Sequence, residues 1–163
     1  MNYLKLILIG SFSVLVSCAQ KNNASDELTK VIAANKNREG YDKKQYPLGL
    51  FTEEYYKGEA EYAQKTIDNL SKISTENLSE TENISLELLK FVLQENIDFY
   101  EYEAYLNPLL SDAGFHTSLP YEVRDFSTHE QFVNYLKKLN AIPAFVSQNI
   151  TLMRDGLEKG ISQ

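Results

Sequence analysis

The sequence predicts an all-α fold, an irregular array of about five helices behind a cleaved signal segment, forming part of a larger helical fold. Two observations carry this. Beyond residue 25, apolar side chains recur at intervals of three and four, and no alternating strand pattern runs longer than a few residues. Ser-x-x-Glu signatures also stand ahead of apolar runs, where a capping box would start a helix. The composition agrees with a folded chain: 163 residues, 43% hydrophobic and 24% charged, the profile of one globular domain rather than of disorder. Sixteen Lys/Arg against twenty-three Asp/Glu leave a net charge of −7, which argues against nucleic acid as a partner because binding phosphates takes a concentrated positive field. One cysteine and two histidines leave no disulfide framework and no site of several thiolate or imidazole ligands.

Residues 1–17 read as a lipoprotein signal peptide. Lys5 precedes an apolar stretch, Leu6 to Val16, of secretory length and short of the roughly 20 residues that span a bilayer. Leu15-Val16-Ser17-Cys18 has the order of a bacterial lipobox, with a branched apolar residue three before the cysteine and a small residue just before it. Cys18 is therefore the expected lipid attachment site, and several acyl chains satisfy the multi-chain requirement for stable anchoring. The expected partner is a membrane, reached through this anchor. The expected location is the cell envelope, at the periplasmic or outer-membrane face of a Gram-negative bacterium, since Ala19 rather than Asp follows the cysteine. Residues 18–25 are a polar tether, and residues 26–163 the helical portion.

Ser25, followed by Asp26 and Glu27, is the expected N-cap of the first helix, with Leu28, Val31 and Ile32 on its apolar side and Gly40 as its stop. Tyr46-Pro47-Leu48-Gly49 is a turn. Thr52 opens a second helix with the seam Tyr56, Ala60, Ala63, Ile67 and Leu70. Ser79 and Glu82 form a capping box ahead of a third. Its two apolar faces, Ile84/Leu88/Phe91/Phe99 and Leu86/Leu89/Leu93/Ile97, predict burial between neighbours, and Pro108 ends it. A loop from Asn107 to Ser127 follows, long enough to be functional or to pack against something. Ser127 and Glu130 predict a second capping box, with Phe132, Tyr135, Leu136 and Leu139 behind it. Pro143 suits the first turn of a final helix, whose face is Val146, Ile150, Met153 and Leu157 and whose fraying end holds Gly156 and Gly160.

Candidate chemistry is sparse. His129-Glu130 begins like the zinc-protease motif His-Glu-x-x-His, but Val133 stands where the second histidine belongs. It is a false match, and no catalytic or metal-binding residue is expected in this chain. His116, Thr117 and Ser118 adjoin one another in the long loop; neighbours in sequence seldom aim at each other as nucleophile and base, so contact with a substrate is their one functional reading. Tyr100, Tyr102 and Tyr105 beside Glu101 and Glu103 read either as a sugar or peptide platform or as core rings with hydroxyls in water.

A series of short motifs carries a resemblance. Tyr46-Pro47-Leu48, Leu78-Ser79-x-x-Glu82, Tyr105-Leu106-Asn107-Pro108-Leu109 and Gly114-Phe115-His116-Thr117-Ser118-Leu119-Pro120 come first. Phe126-Ser127-Thr128, Tyr135-Leu136-x-x-Leu139-x-x-Ile142-Pro143, Gln148-x-Ile150 and Met153-Arg154-x-Gly156-x-x-x-Gly160 complete it. In this order, over about Asn35 to Gln163, the chain resembles the amino-terminal part of the bacterial domain-of-unknown-function 885 family.

The resemblance implies a longer, almost wholly helical protein, often secreted or lipid-anchored and similar to His-Glu-x-x-His zinc metallopeptidases. It further implies a deep cleft, a zinc-bound water, a glutamate base and a peptide substrate in the full-length form. The metal motif has no counterpart here, so no metal ligand carries over, and zinc is expected as a cofactor of the full-length form only. His116, Thr117 and Ser118 are the expected cleft-lining residues. The chain is thus expected to be an amino-terminal fragment that lacks the rest of its fold and exposes apolar faces meant for it. The rival expectation is a complete small helical lipoprotein serving as a binding or envelope-scaffold module.

Overall fold

The computed structural model describes residues 23–110, 113–117 and 127–161; the signal segment, Cys18 and Ser118 lie outside them. The fold is all-α, as the periodicity predicts. Helix α1 covers residues 23–37, followed by α2 (Glu53–Leu70), α3 (Glu80–Glu101) and α4 (His129–Glu158). A 3-10 turn, η1 (Thr75–Asn77), precedes α3 and another, η2 (Ala104–Leu106), follows it. Inside the expected long loop, β1 (Leu109–Leu110) and β2 (Ala113–Gly114) pair antiparallel over two residues each, Leu109 opposite Gly114, before a helical turn at 115–117.

The described chain forms two compact units: residues 23–38 with 63–95, and residues 39–62 with 96–161. One boundary follows α1, and the other two fall inside α2 and α3. In the first unit Leu28, Leu70, Leu86 and Leu93 are fully buried, each contributing on the order of 2 kcal/mol by leaving water. Ser79 heads α3 as expected: its backbone N–H donates to Glu82 Oε2 at 2.7 Å, and its Oγ accepts the Glu82 N–H at 3.4 Å. The same Glu82 carboxylate accepts a hydrogen bond from Ser25 Oγ. Ser25 is not the N-cap of α1, because Asn23 and Ala24 are already helical; its hydroxyl instead ties α1 to the head of α3.

The structure corrects further expectations along α3 and α4. α3 stops at Glu101, ahead of Pro108, because Glu103 enters the left-handed region (φ 54°) and turns the chain into η2. Only one of its two apolar faces is buried: Leu86, Leu93 and Ile97 are covered, whereas Ile84, Leu88 and Phe91 stay 60–64% exposed. Finally, the two expected C-terminal helices are one, thirty residues long with Pro143 inside it. Its capping box is set one residue later than Ser127/Glu130. Thr128 Oγ1 accepts the Gln131 N–H at 3.2 Å and Gln131 Oε1 accepts the Thr128 N–H at 3.3 Å. An interior proline forfeits one backbone hydrogen bond and costs roughly 3 kcal/mol. The buried stripe that follows it, Phe145, Asn149, Leu152 and Gly156 at spacings of four, three and four, packs the helix down and offsets that loss.

That stripe lies one residue ahead of the expected face. Val146 and Met153 are half-buried, and Ile150 and Leu157 are exposed. A polar Asn149 and a side-chain-free Gly156 do not register in an apolar pattern, so periodicity picks out the neighbouring row. Nor does α4 fray at its glycines. It ends in a Schellman motif in which Gly160 adopts φ +79°, the Ile161 N–H donates to Gly156 O at 2.8 Å and the Gly160 N–H to Leu157 O at 3.1 Å.

Candidate functional site

The second unit is organised around aromatic rings. Thr52 caps α2, its Oγ1 accepting the Tyr55 N–H at 3.2 Å, and the first turns of that helix present Tyr56. Tyr56 stacks on Tyr105 (centroids 5.2 Å apart), which stacks in turn on Tyr100 (5.7 Å). Tyr105, Leu106 and Leu152 form the buried centre, with Phe51 and Ile161 packed against it. Phe51 is fixed from both ends. Its N–H donates to Gln148 Oε1 at 2.8 Å, and its ring meets Phe145 edge-on at 5.1 Å. Phe115, from the helical turn after β2, meets Phe145 edge-on at 5.9 Å.

Two backbone features hold these rings in place. Gly156 lies so close to η2 that a β-carbon there would stand 2.8 Å from Leu106 O; this absence of a side chain lets α4 seat against Leu106. Gly114, at φ +140°, would place a β-carbon 2.5 Å from Pro108 O, so the tight β1–β2 ladder needs glycine there on both counts. The left-handed Glu103 is held by its carboxylate, which accepts from Lys159 Nζ. That hydrogen bond keeps the Lys159 ammonium protonated to higher pH than usual, against the smaller effect of desolvation.

Within this unit lies a cavity of about 620 Å³, inside the range of small-molecule sites. Phe51, Tyr56, Phe99, Tyr105, Phe115 and Phe145 line it. Burial pushes the Tyr56 phenol up to about 12, with nearby Tyr55 adding to it; burial likewise raises Tyr105, seconded by Glu53. Both are neutral hydroxyls over the physiological range. Glu103 is the one carboxylate among the lining residues and is engaged by Lys159.

Asn149, 0% exposed, also belongs to the cavity wall. Its Nδ2 donates to Phe145 O at 2.8 Å, while its Oδ1 is buried with no hydrogen-bond partner among the described residues. The amide orientation follows from the first bond, since turning it over would set oxygen against oxygen. Nothing in the sequence marked Asn149 as a site residue beyond its place in an Asn-x-Thr triplet. The one further signal it carried was a polar residue in phase with Phe145, Leu152 and Gly156, and without the packing nothing marks that row as the buried one.

The residues singled out beforehand fall unevenly about this site. His116 is exposed and is not among the lining residues; its neighbours Gly114 and Phe115 are. Thr117 is half-buried, with its Oγ1 donating to Gly114 O at 2.9 Å. His129 stands exposed at the first position of α4. The tyrosine trio divides: Tyr105 is core, Tyr100 half-buried, and Tyr102 an exposed ring on the cavity wall. Among the described residues no three His, Cys, Asp or Glu side chains come together as a metal site. Among them, too, no helix is long and apolar enough to cross a membrane.

Neither the curated proteins nor the solved structures gave a match. The model of the bacterial protein family of unknown function DUF885 matches residues 35–163, a span that takes in α2, α3, α4 and the whole cavity wall, and the chain belongs to that family.

Proposed function

We propose that this DUF885 chain works at the bacterial cell envelope. In this reading acyl chains on Cys18 hold it to a membrane, and its helices serve as the scaffold half of a larger, peptidase-like helical fold. The observation that carries this reading is the pair of open apolar faces. Ile84, Leu88 and Phe91 on α3, and Leu136 and Leu139 on the first half of α4, are exposed at helical spacing. A finished helical array covers such stripes with further helices. The lipobox order at Leu15 to Cys18 supports the anchor. Zinc and the glutamate base of the peptidase reading would belong to other parts of that fold, and His116, Thr117 and Ser118 would border its cleft.

Two experiments test the halves separately. Expressed in a Gram-negative host, the protein should carry a diacylglyceryl adduct at Cys18 by mass spectrometry and lose it in Cys18→Ala; an unprocessed, soluble chain overturns the anchor. The full-length form, assayed on a peptide mixture, should show turnover abolished by a zinc chelator and altered by His116→Ala. Chelator-resistant or absent turnover overturns the peptidase half, and unchanged kinetics in His116→Ala removes the cleft role. The second reading, a small lipoprotein that binds a ligand, is favoured by one specific observation: the aromatic cavity is formed wholly by residues of the second unit.

A further inference from the structure

We infer that the cavity beside Asn149 is a binding site for a neutral aromatic molecule bearing an N–H or O–H donor, with Asn149 Oδ1 as the acceptor that selects it. This goes beyond the envelope and peptidase reading and stands apart from it, since it needs neither the anchor nor any turnover.

Three features converge on that ligand class. The volume, about 620 Å³, exceeds what a single ring fills, and the walls offer ring edges and faces from Phe51, Tyr56, Phe115 and Phe145, the geometry in which aromatic pairs gain beyond simple area burial. The charge balance at the wall is closed: the Glu103 carboxylate already accepts from Lys159, so neither a cation nor an anion finds an unpaired partner among the lining residues. What remains unsatisfied is one acceptor. Among the described residues Asn149 Oδ1 has no hydrogen-bond partner, and it is buried; a buried oxygen left without a donor carries the full cost of its lost hydration. The Asn149 side chain cannot turn away to relieve it, because Nδ2 is held by Phe145 O at 2.8 Å. Because Oδ1 has no exposed surface, a planar donor reaches it only as the aromatic wall beside it yields; the bond then relieves that cost, and an analogue lacking the donor does not.

The chain contains no tryptophan, so indole serves as a probe whose own emission reports binding. Titration of the intact protein with indole should saturate, and benzothiophene, in which sulfur replaces the N–H on the same bicyclic ring, should bind about tenfold more weakly or worse. In Asn149→Leu, of similar size and without the acceptor, the two probes should bind alike. Should that variant fail to fold, the wild-type comparison still decides, together with Ala104→Phe. Ala104 is an exposed lining position, and a ring there occupies the cavity and should weaken indole about tenfold. Equal affinity of the two probes for the wild type, non-saturable indole binding, or indole affinity untouched by Ala104→Phe overturns the assignment. Any of these outcomes leaves the anchor and peptidase tests unaffected.

Discussion

Gly156 shows how much one missing methyl group can decide. With its would-be β-carbon 2.8 Å from a backbone oxygen, Gly156→Ala must push α4 off η2, a loss of about 1–3 kcal/mol. A thermal melt should register it as a Tm lowered by about 2–4 °C per kcal/mol. Gly58 is the control, exposed in the interior of α2 with nothing within 4 Å of its would-be β-carbon. Gly58→Ala should therefore stabilise by about 0.5–1 kcal/mol. Tyr56 gives a second prediction at this scale. Its phenol is raised from 10.0 to about 12, so the folded state holds the proton more tightly than the unfolded one. The stabilisation is fully present below the unfolded value and is lost as pH climbs from there through about 12. Following tyrosinate absorbance, Tyr56→Phe should delete a component titrating near 12, and unfolding at alkaline pH should become less pH-dependent.

Among the helices, the head of α3 is tied by several side-chain hydrogen bonds. Glu82 closes the capping box with Ser79 and also receives Ser25. Glu82→Ala should cost about 1–2 kcal/mol in denaturant unfolding, and Ser25→Ala about 1 kcal/mol. Because both act through one carboxylate, the double variant should cost about as much as Glu82→Ala alone; simple additivity would show that the Ser25 link contributes nothing. This is also the scale at which the sequence was most legible. The Ser79 box, the Thr52 cap and the α2 seam of Ala60, Ala63 and Leu70 are local signals, and the structure realises them. The α4 stripe was not legible, because Asn149 and Gly156 are buried for reasons that lie in η2 and the aromatic wall rather than in α4 itself. Pro143 misled for the same reason: a local breaker was outweighed by packing further along the helix.

At the scale of the whole molecule, the exposed face of α3 is the surface expected to govern solution behaviour. Ile84, Leu88, Phe91 and Val92 form a contiguous apolar strip of the kind that draws copies together when left uncovered. Leu88→Glu with Phe91→Lys places an acid and a base one turn apart on that strip. Light scattering should show reduced self-association, while stability changes by no more than about 0.5 kcal/mol, as befits surface positions. Unchanged scattering would show that some other surface drives association. Much of the motif series that carries the family resemblance finds its work in the second unit: Tyr105 and Leu106 at the buried centre, Gln148 holding Phe51, Gly114 and Gly156 permitting close approach.

The sequence by itself determined the helical class, the caps of α2 and α3 and the family, because each of these is written in residues a few positions apart. Helix-forming periodicity and capping need no distant partner to act. Only the tertiary structure decided which side of α3 is covered, which row of α4 turns inward and that a polar amide would stand at the edge of an aromatic cavity. Those outcomes depend on the complementary shapes of segments far apart in the chain, such as Leu106 against Gly156 or Phe51 against Gln148. A one-dimensional pattern holds no record of which segments will meet.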